Sequence, residues 1–125
     1  MQVTQEQFEE LVSAAIDDIP EKYRRRLANV AFVIEDEPDA EQRRQLGLRG
    51  NQSLFGLYEG VPLTRRGGSE SLLLPDKITL FKLPIARHCE TPQQLREQIR
   101  HTVWHEVAHF FGLDHAEIFE RETNA

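Results

Sequence analysis

Apolar residues recur at three- and four-residue spacing near both ends of the chain and gather into short β-rich runs between them. Near the start, Phe8, Leu11, Val12, Ala15, Ile16 and Ile19 form one stripe of an amphipathic helix. Thr4 and Gln7 stand where a capping box would open that helix, and Pro20 closes it. A short helical piece over 21–27 leads into Val30-Ala31-Phe32-Val33-Ile34. This run is apolar on both faces, which predicts an inner strand covered on both sides. Residues 39–46, closed by Gly47, read as a short helix. Residues 54–59 read as a second strand, with Gly56 marking a bulge or a close approach. Residues 62–71 contain Gly67-Gly68 and little that could bury, so they read as a surface loop. The third strand is expected over 77–82, ended by Pro84, with 84–90 as a connection.

The last periodic stretch is apolar almost all round. On a helical wheel Leu95, Ile99, Val103, Val107 and Phe110 fall within an arc of roughly 120°, and Trp104, Ala108 and Phe111 cover much of the rest. Such a helix belongs between layers rather than on a surface. Thr91 as N-cap, Pro92 as first helical residue and Gln94 two positions later set its start, which predicts a helix over 92–111. Helices and strands are intermixed along the chain. The expected class is therefore α+β, a small mixed sheet packed against this central helix and the N-terminal one.

Composition narrows the setting. At 125 residues the chain is expected to form a single domain over 1–125. Lys and Arg number 15 against 21 Asp and Glu, a net charge of −6, and no basic stripe is present to neutralise phosphates. A nucleic-acid or anionic-membrane partner is therefore not expected. Arg24 to Arg26 and Arg65-Arg66 read as solvated positions, and so does the acidic loop around Pro38, which lacks calcium-loop spacing. Cys89 is the one cysteine, which excludes an internal disulfide and fits a reducing compartment. No signal-peptide pattern or membrane-length apolar stretch stands out, so the expected location is the cytoplasm. Nothing in the sequence sets the oligomeric state.

The chemistry is concentrated in His105-Glu106-Val107-Ala108-His109-Phe110-Phe111-Gly112-Leu113-Asp114-His115. Histidines four apart lie one above the other on a helix face, so His105 and His109 can reach a single Zn²⁺. Glu106 projects about 100° further round, placed to take a proton from a water at the metal. Gly112 lets the backbone turn out of the helix, and the motif register makes His115 the third ligand, with Asp114 as its rival. One ion per chain with its fourth position left to water is a catalytic layout rather than a structural one. Three imidazoles also accept Mn²⁺, Co²⁺ or Ni²⁺. The full pattern should arise by chance on the order of once in 10⁷ starting positions. It is this extended pattern, and not the short His-Glu-x-x-His, that carries the argument. His88 and Cys89 precede a helix whose rise puts them roughly 20 Å or more from His105 unless the connection folds back. His101 reads as peripheral, with an outer-shell or substrate-contacting role as the alternative.

These residues resemble the extended zinc-binding consensus of the metzincin metallopeptidases, and the chain as a whole is similar to the very short prokaryotic zincin-like metallopeptidases, or minimal metzincins. Phe8-Glu9-Glu10-Leu11-Val12, Leu57-Tyr58-Glu59-Gly60-Val61-Pro62-Leu63 and Pro75-Asp76-Lys77-Ile78-Thr79-Leu80-Phe81 share in the likeness, so it covers most of the length. The resemblance implies a zincin-like fold, zinc and a peptidase-type site. It also suggests an extended peptide added to a sheet edge beside the metal. Two positions vary. Metzincins carry a methionine turn after the third ligand, whereas Met1 is the only methionine here, and the short family often has Asp where this chain has His115. The expected activity is zinc-dependent hydrolysis of a peptide or protein substrate, with Glu106 as general base passing the proton on to the leaving amine. Tyr58, Tyr23 and several arginines remain candidates for steadying the oxyanion. Two alternatives stay open. One is a zinc hydrolase of non-peptide amides or esters. The other is a non-catalytic zinc-binding interaction module whose fourth ligand is Asp114 or Glu117.

Overall fold

Local caps set the helices. Thr4 Oγ1 accepts from the Gln7 main-chain N–H at 3.1 Å while Gln7 Oε1 accepts from the Thr4 N–H at 3.0 Å, opening α1, Gln5–Asp17. The same reciprocal box joins Asp39 and Gln42 at the start of α3, Ala40–Leu46, which Gly47 ends at φ 68°, a left-handed turn that suits glycine. Between them lie α2, Glu21–Arg24, a 3₁₀ turn over Arg25–Leu27, and strand β1, Val30–Glu35. The computed structural model describes residues 1–61 and 76–112. The loop expected at 62–71 lies outside the described residues.

Among the described residues, strands β2, Gly56–Glu59, and β3, Asp76–Phe81, join β1 in a sheet of three strands in the order β1-β3-β2. β1 runs parallel to β3, with Val30 opposite Asp76 and Glu35 opposite Phe81. β2 runs antiparallel, with Gly56 opposite Leu80 and Glu59 opposite Lys77. The sheet is mixed, as expected, but among the described residues the strand with a neighbour on each side is β3 and not β1. Apolar residues on both faces of Val30 to Ile34 report what covers the faces of a strand. They do not report how many neighbours it has in the hydrogen-bonding direction. In the structure Ala31 is exposed and its strand neighbours are half-buried, whereas five of the six residues of β3 are buried.

The expected connection at 84–90 is also corrected. Lys82–His88 forms helix α4, with Pro84 in its first turn, where a missing N–H costs no intrahelical bond. Proline there is compatible with a helix start and is no stop signal.

Helix α5, Pro92–Phe110, is the centre of the fold and touches α1, α4, β2 and β3. Thr91 Oγ1 accepts from the Gln94 N–H at 3.1 Å, but the Gln94 side chain takes the Glu90 N–H rather than that of Thr91, so only half of the expected box forms. The stripe foreseen on α5 faces inward: Leu95, Ile99, Val103, Val107 and Phe110 are buried against Phe8, Val12, Ile78, Leu80 and Ile85. Fully burying such a side chain favours the fold by about 1.5–3 kcal/mol. Among the described residues no helix is long and apolar enough to cross a membrane.

Candidate metal centre

The C-terminal turns of α5 present the donors. His105 and His109 stand one turn apart, half-buried, with ring centroids 4.8 Å apart and planes at 71°. Their Nε2 atoms are 3.2 Å from each other. Two imidazole nitrogens bound at 2.0–2.1 Å to one tetrahedral ion would be separated by about 3.3 Å, so the pair fits a shared zinc-sized ion. Glu106 joins them: donor atoms of His105, Glu106 and His109 all lie within 4.8 Å of one another. Among the described residues this is the one such cluster. Its carboxylate is thus within reach of an ion held by the two rings, or of a water on that ion.

Glu106 is only 8% exposed, which is unusual for a carboxylate. Burial pushes its carboxyl up to about 7, and the Tyr58 main-chain N–H facing it pulls partly the other way. A group poised near neutrality can both accept and return a proton. The strand that supplies the N–H is β2, whose other side pairs with β3.

Gly112 leaves α5 at φ 78° and its N–H bonds the His109 carbonyl at 2.9 Å, the sharp exit that the motif called for. His115, Asp114 and Glu117 lie outside the described residues, so the choice between them as further ligands rests on the motif register alone.

Other sequence candidates find places. His101 stacks on His105 with centroids 6.1 Å apart and planes at 28°. Helix α4 packs back on α5, so His88, Cys89, Glu97, Gln98 and His101 line one open groove of about 620 Å³. The connection therefore does fold back, yet neither His88 nor Cys89 joins the donor cluster. The Tyr58 hydroxyl donates to Asp76 Oδ2 at 2.8 Å and its ring meets Phe110 edge-on, which ties this oxyanion candidate into the sheet. Tyr23 packs edge-on against Trp104 and Phe111. Sequence reasoning did not find Thr102 or the Tyr58 main chain as neighbours of Glu106. Gly56, marked for a close approach, was the one available signal.

Comparison with known proteins agrees with this geometry. No curated protein matches the chain. A solved structure, a conserved hypothetical protein from Thermo thermophilus, is similar at 25% identity and a TM-score of 0.57, covering 85% of this chain and 92% of that one. The profile of the zincin-like metallopeptidases matches residues 27–125, which include the whole of α5 and its donors. The chain belongs to the zincin-like metallopeptidase family.

Proposed function

We propose that this protein is a zinc-dependent metallopeptidase in which His105, His109 and His115 hold one zinc ion and Glu106 is the general base. The carrying observation is the convergence of the His105 and His109 Nε2 atoms to 3.2 Å with the buried Glu106 carboxylate in the same cluster. Zinc held there would supply a Lewis acid able to make an attacking water acidic near neutral pH. Glu106 would take the proton of the attacking water and return it to the leaving amine, a role that its place beside the two imidazoles supports.

The substrate side of the reading rests on sheet order. Among the described residues β2 has a strand partner on one edge only, and α5 packs against β2. An extended peptide running along the side of β2 away from β3 would pass beside Glu106, which faces the Tyr58 N–H on that side. Non-peptide amides or esters would use the same donors, and a peptide library alongside ester substrates separates the two. Localisation in a reducing, cytoplasmic compartment is supported by the single buried cysteine.

The test is elemental analysis with zinc-edge X-ray absorption, followed by peptide-library turnover of the parent and Glu106→Gln. About one zinc per chain bound by three nitrogens and a water, with turnover lost and zinc kept in the variant, is the expected result. A coordination sphere closed by protein atoms, including a Glu106 oxygen, would instead support the non-catalytic metal module.

A further inference from the structure

Gly56 opens β2 where that strand crosses α5. A Cβ placed on it would stand 2.7 Å from Thr102 Cγ2, 3.1 Å from Glu106 Cγ and 3.3 Å from the Thr79 carbonyl oxygen. Gly56 is not among the glycines at positive φ, so the backbone conformation does not call for glycine there. The close approach does. Thr102 and Glu106 are four apart on α5 and share the face turned to β2. Thr102 is itself held: it is buried, and Gln98 Nε2 donates to its Oγ1 at 3.0 Å, which fixes the rotamer that turns the methyl group to Gly56.

We propose that Gly56, together with Thr102 and its anchor Gln98, is a positioning device for Glu106. The bare backbone at 56 lets β2 lie on the Thr102 methyl and the Glu106 stem, and this contact holds the Glu106 carboxyl beside the His105–His109 pair. The inference rests on the reading of Glu106 as general base and adds to it the elements that aim the base. A methyl group at position 56 meets two neighbours on one stiff helix. The Glu106 side chain, with its free torsions, is the part that yields, while the two imidazoles on the adjoining flank keep their separation. Thr102→Ser removes Cγ2 and keeps the hydroxyl that Gln98 holds. In Gly56→Ala/Thr102→Ser the strand can therefore settle into the vacated space and free the Glu106 stem.

The probe is acetohydroxamic acid, which chelates a metal through two oxygens and passes its hydroxyl proton to a carboxylate poised beside the ion. Its affinity for the zinc-loaded protein is measured by calorimetry, and zinc affinity separately by competition with a chromophoric chelator. Glu106→Gln is expected to weaken the hydroxamate about tenfold or more, the worth of one charge-assisted hydrogen bond. Gly56→Ala is expected to weaken it to a similar extent with zinc affinity unchanged, and Gly56→Ala/Thr102→Ser to recover most of the loss. Parent-like hydroxamate affinity in Gly56→Ala, a parallel loss of zinc affinity, or no recovery in the double variant overturns the positioning role. If Glu106→Gln itself binds the hydroxamate as the parent does, the base assignment fails first and the inference falls with it. Should Gly56→Ala not fold, Gln98→Ala loosens the Thr102 rotor without adding bulk. A loss of roughly threefold is then expected, and parent-like affinity overturns the proposal.

Discussion

Replacing Glu106 by Gln should stabilise the zinc-free protein at alkaline pH, against the usual direction for a buried position. The carboxyl is 8% exposed, and burial lifts it from an ordinary 4.5 to about 7. Below pH ~4.5 both folded and unfolded chains carry the proton, and the group adds no pH-dependent cost. As pH rises from 4.5 to 7 the unfolded chain ionises first, so unfolding releases a proton and stability falls. Above 7 both states are ionised and the cost is constant. At 1.36 kcal/mol for each tenfold in proton affinity, the full cost is roughly 3 kcal/mol. Gln has nearly the same shape and no charge to desolvate, so it escapes this term. Urea unfolding followed by far-UV circular dichroism, with a chelator present, at pH 5 and pH 8 measures it. The variant should gain roughly 2–3 kcal/mol on the parent between the two pH values. A stability difference that does not change with pH, or a variant weaker than the parent at pH 8, would refute desolvation as the cause. Saturating zinc should shrink the gap, because a cation beside the carboxylate favours its ionised form.

Other outcomes follow from single contacts. His109→Ala breaks the 3.2 Å nitrogen pair, so zinc content after reconstitution and dialysis should fall from about one per chain towards none, and added zinc should no longer raise the melting temperature. Ile99→Ala empties a fully buried site under α5 and should cost about 2–5 kcal/mol in urea unfolding without changing the ligands. Gly47→Ala should cost about 1 kcal/mol, because a Cβ there meets nothing within 4 Å and only the left-handed φ of 68° opposes it; an unchanged midpoint would show that the turn relaxes freely.

The helices other than α4, and the donor cluster, were legible because their causes are local. A capping box joins residues three apart and the histidine pair joins residues four apart, so Thr4, Gln7, His105, Glu106 and His109 could be placed from spacing alone. What spacing does not show depends on residues distant in sequence. Which strand β1 pairs with is decided by β3, 46 positions away, whose residue Asp76 stands opposite Val30. The burial of Glu106 is decided by Gly56 and Tyr58 on β2, fifty and forty-eight positions earlier, and nothing on the helix itself announces that β2 will lie against that flank. Helix α4 is hidden for a different reason. Pro84 reads as a breaker, whereas in a first turn it is tolerated.

The order of the strands also bears on how the chain folds. Residues paired between β2 and β3 are as little as 18 positions apart, Glu59 to Lys77, whereas each β1–β3 pair spans 46, as from Val30 to Asp76. Loop-closure entropy makes the longer connection less favourable by about 0.8 kcal/mol, and parallel pairing gives slightly less per residue in return. The β2–β3 hairpin and α5 can therefore assemble as an early unit, with β1 docking onto β3 afterwards. With that order, the apolar run Val30 to Ile34 would be exposed before docking, and association between refolding chains would act on that stretch. His105, Glu106 and His109 all lie on α5, so with that order of assembly zinc added at the start of refolding would meet them before β1 docks.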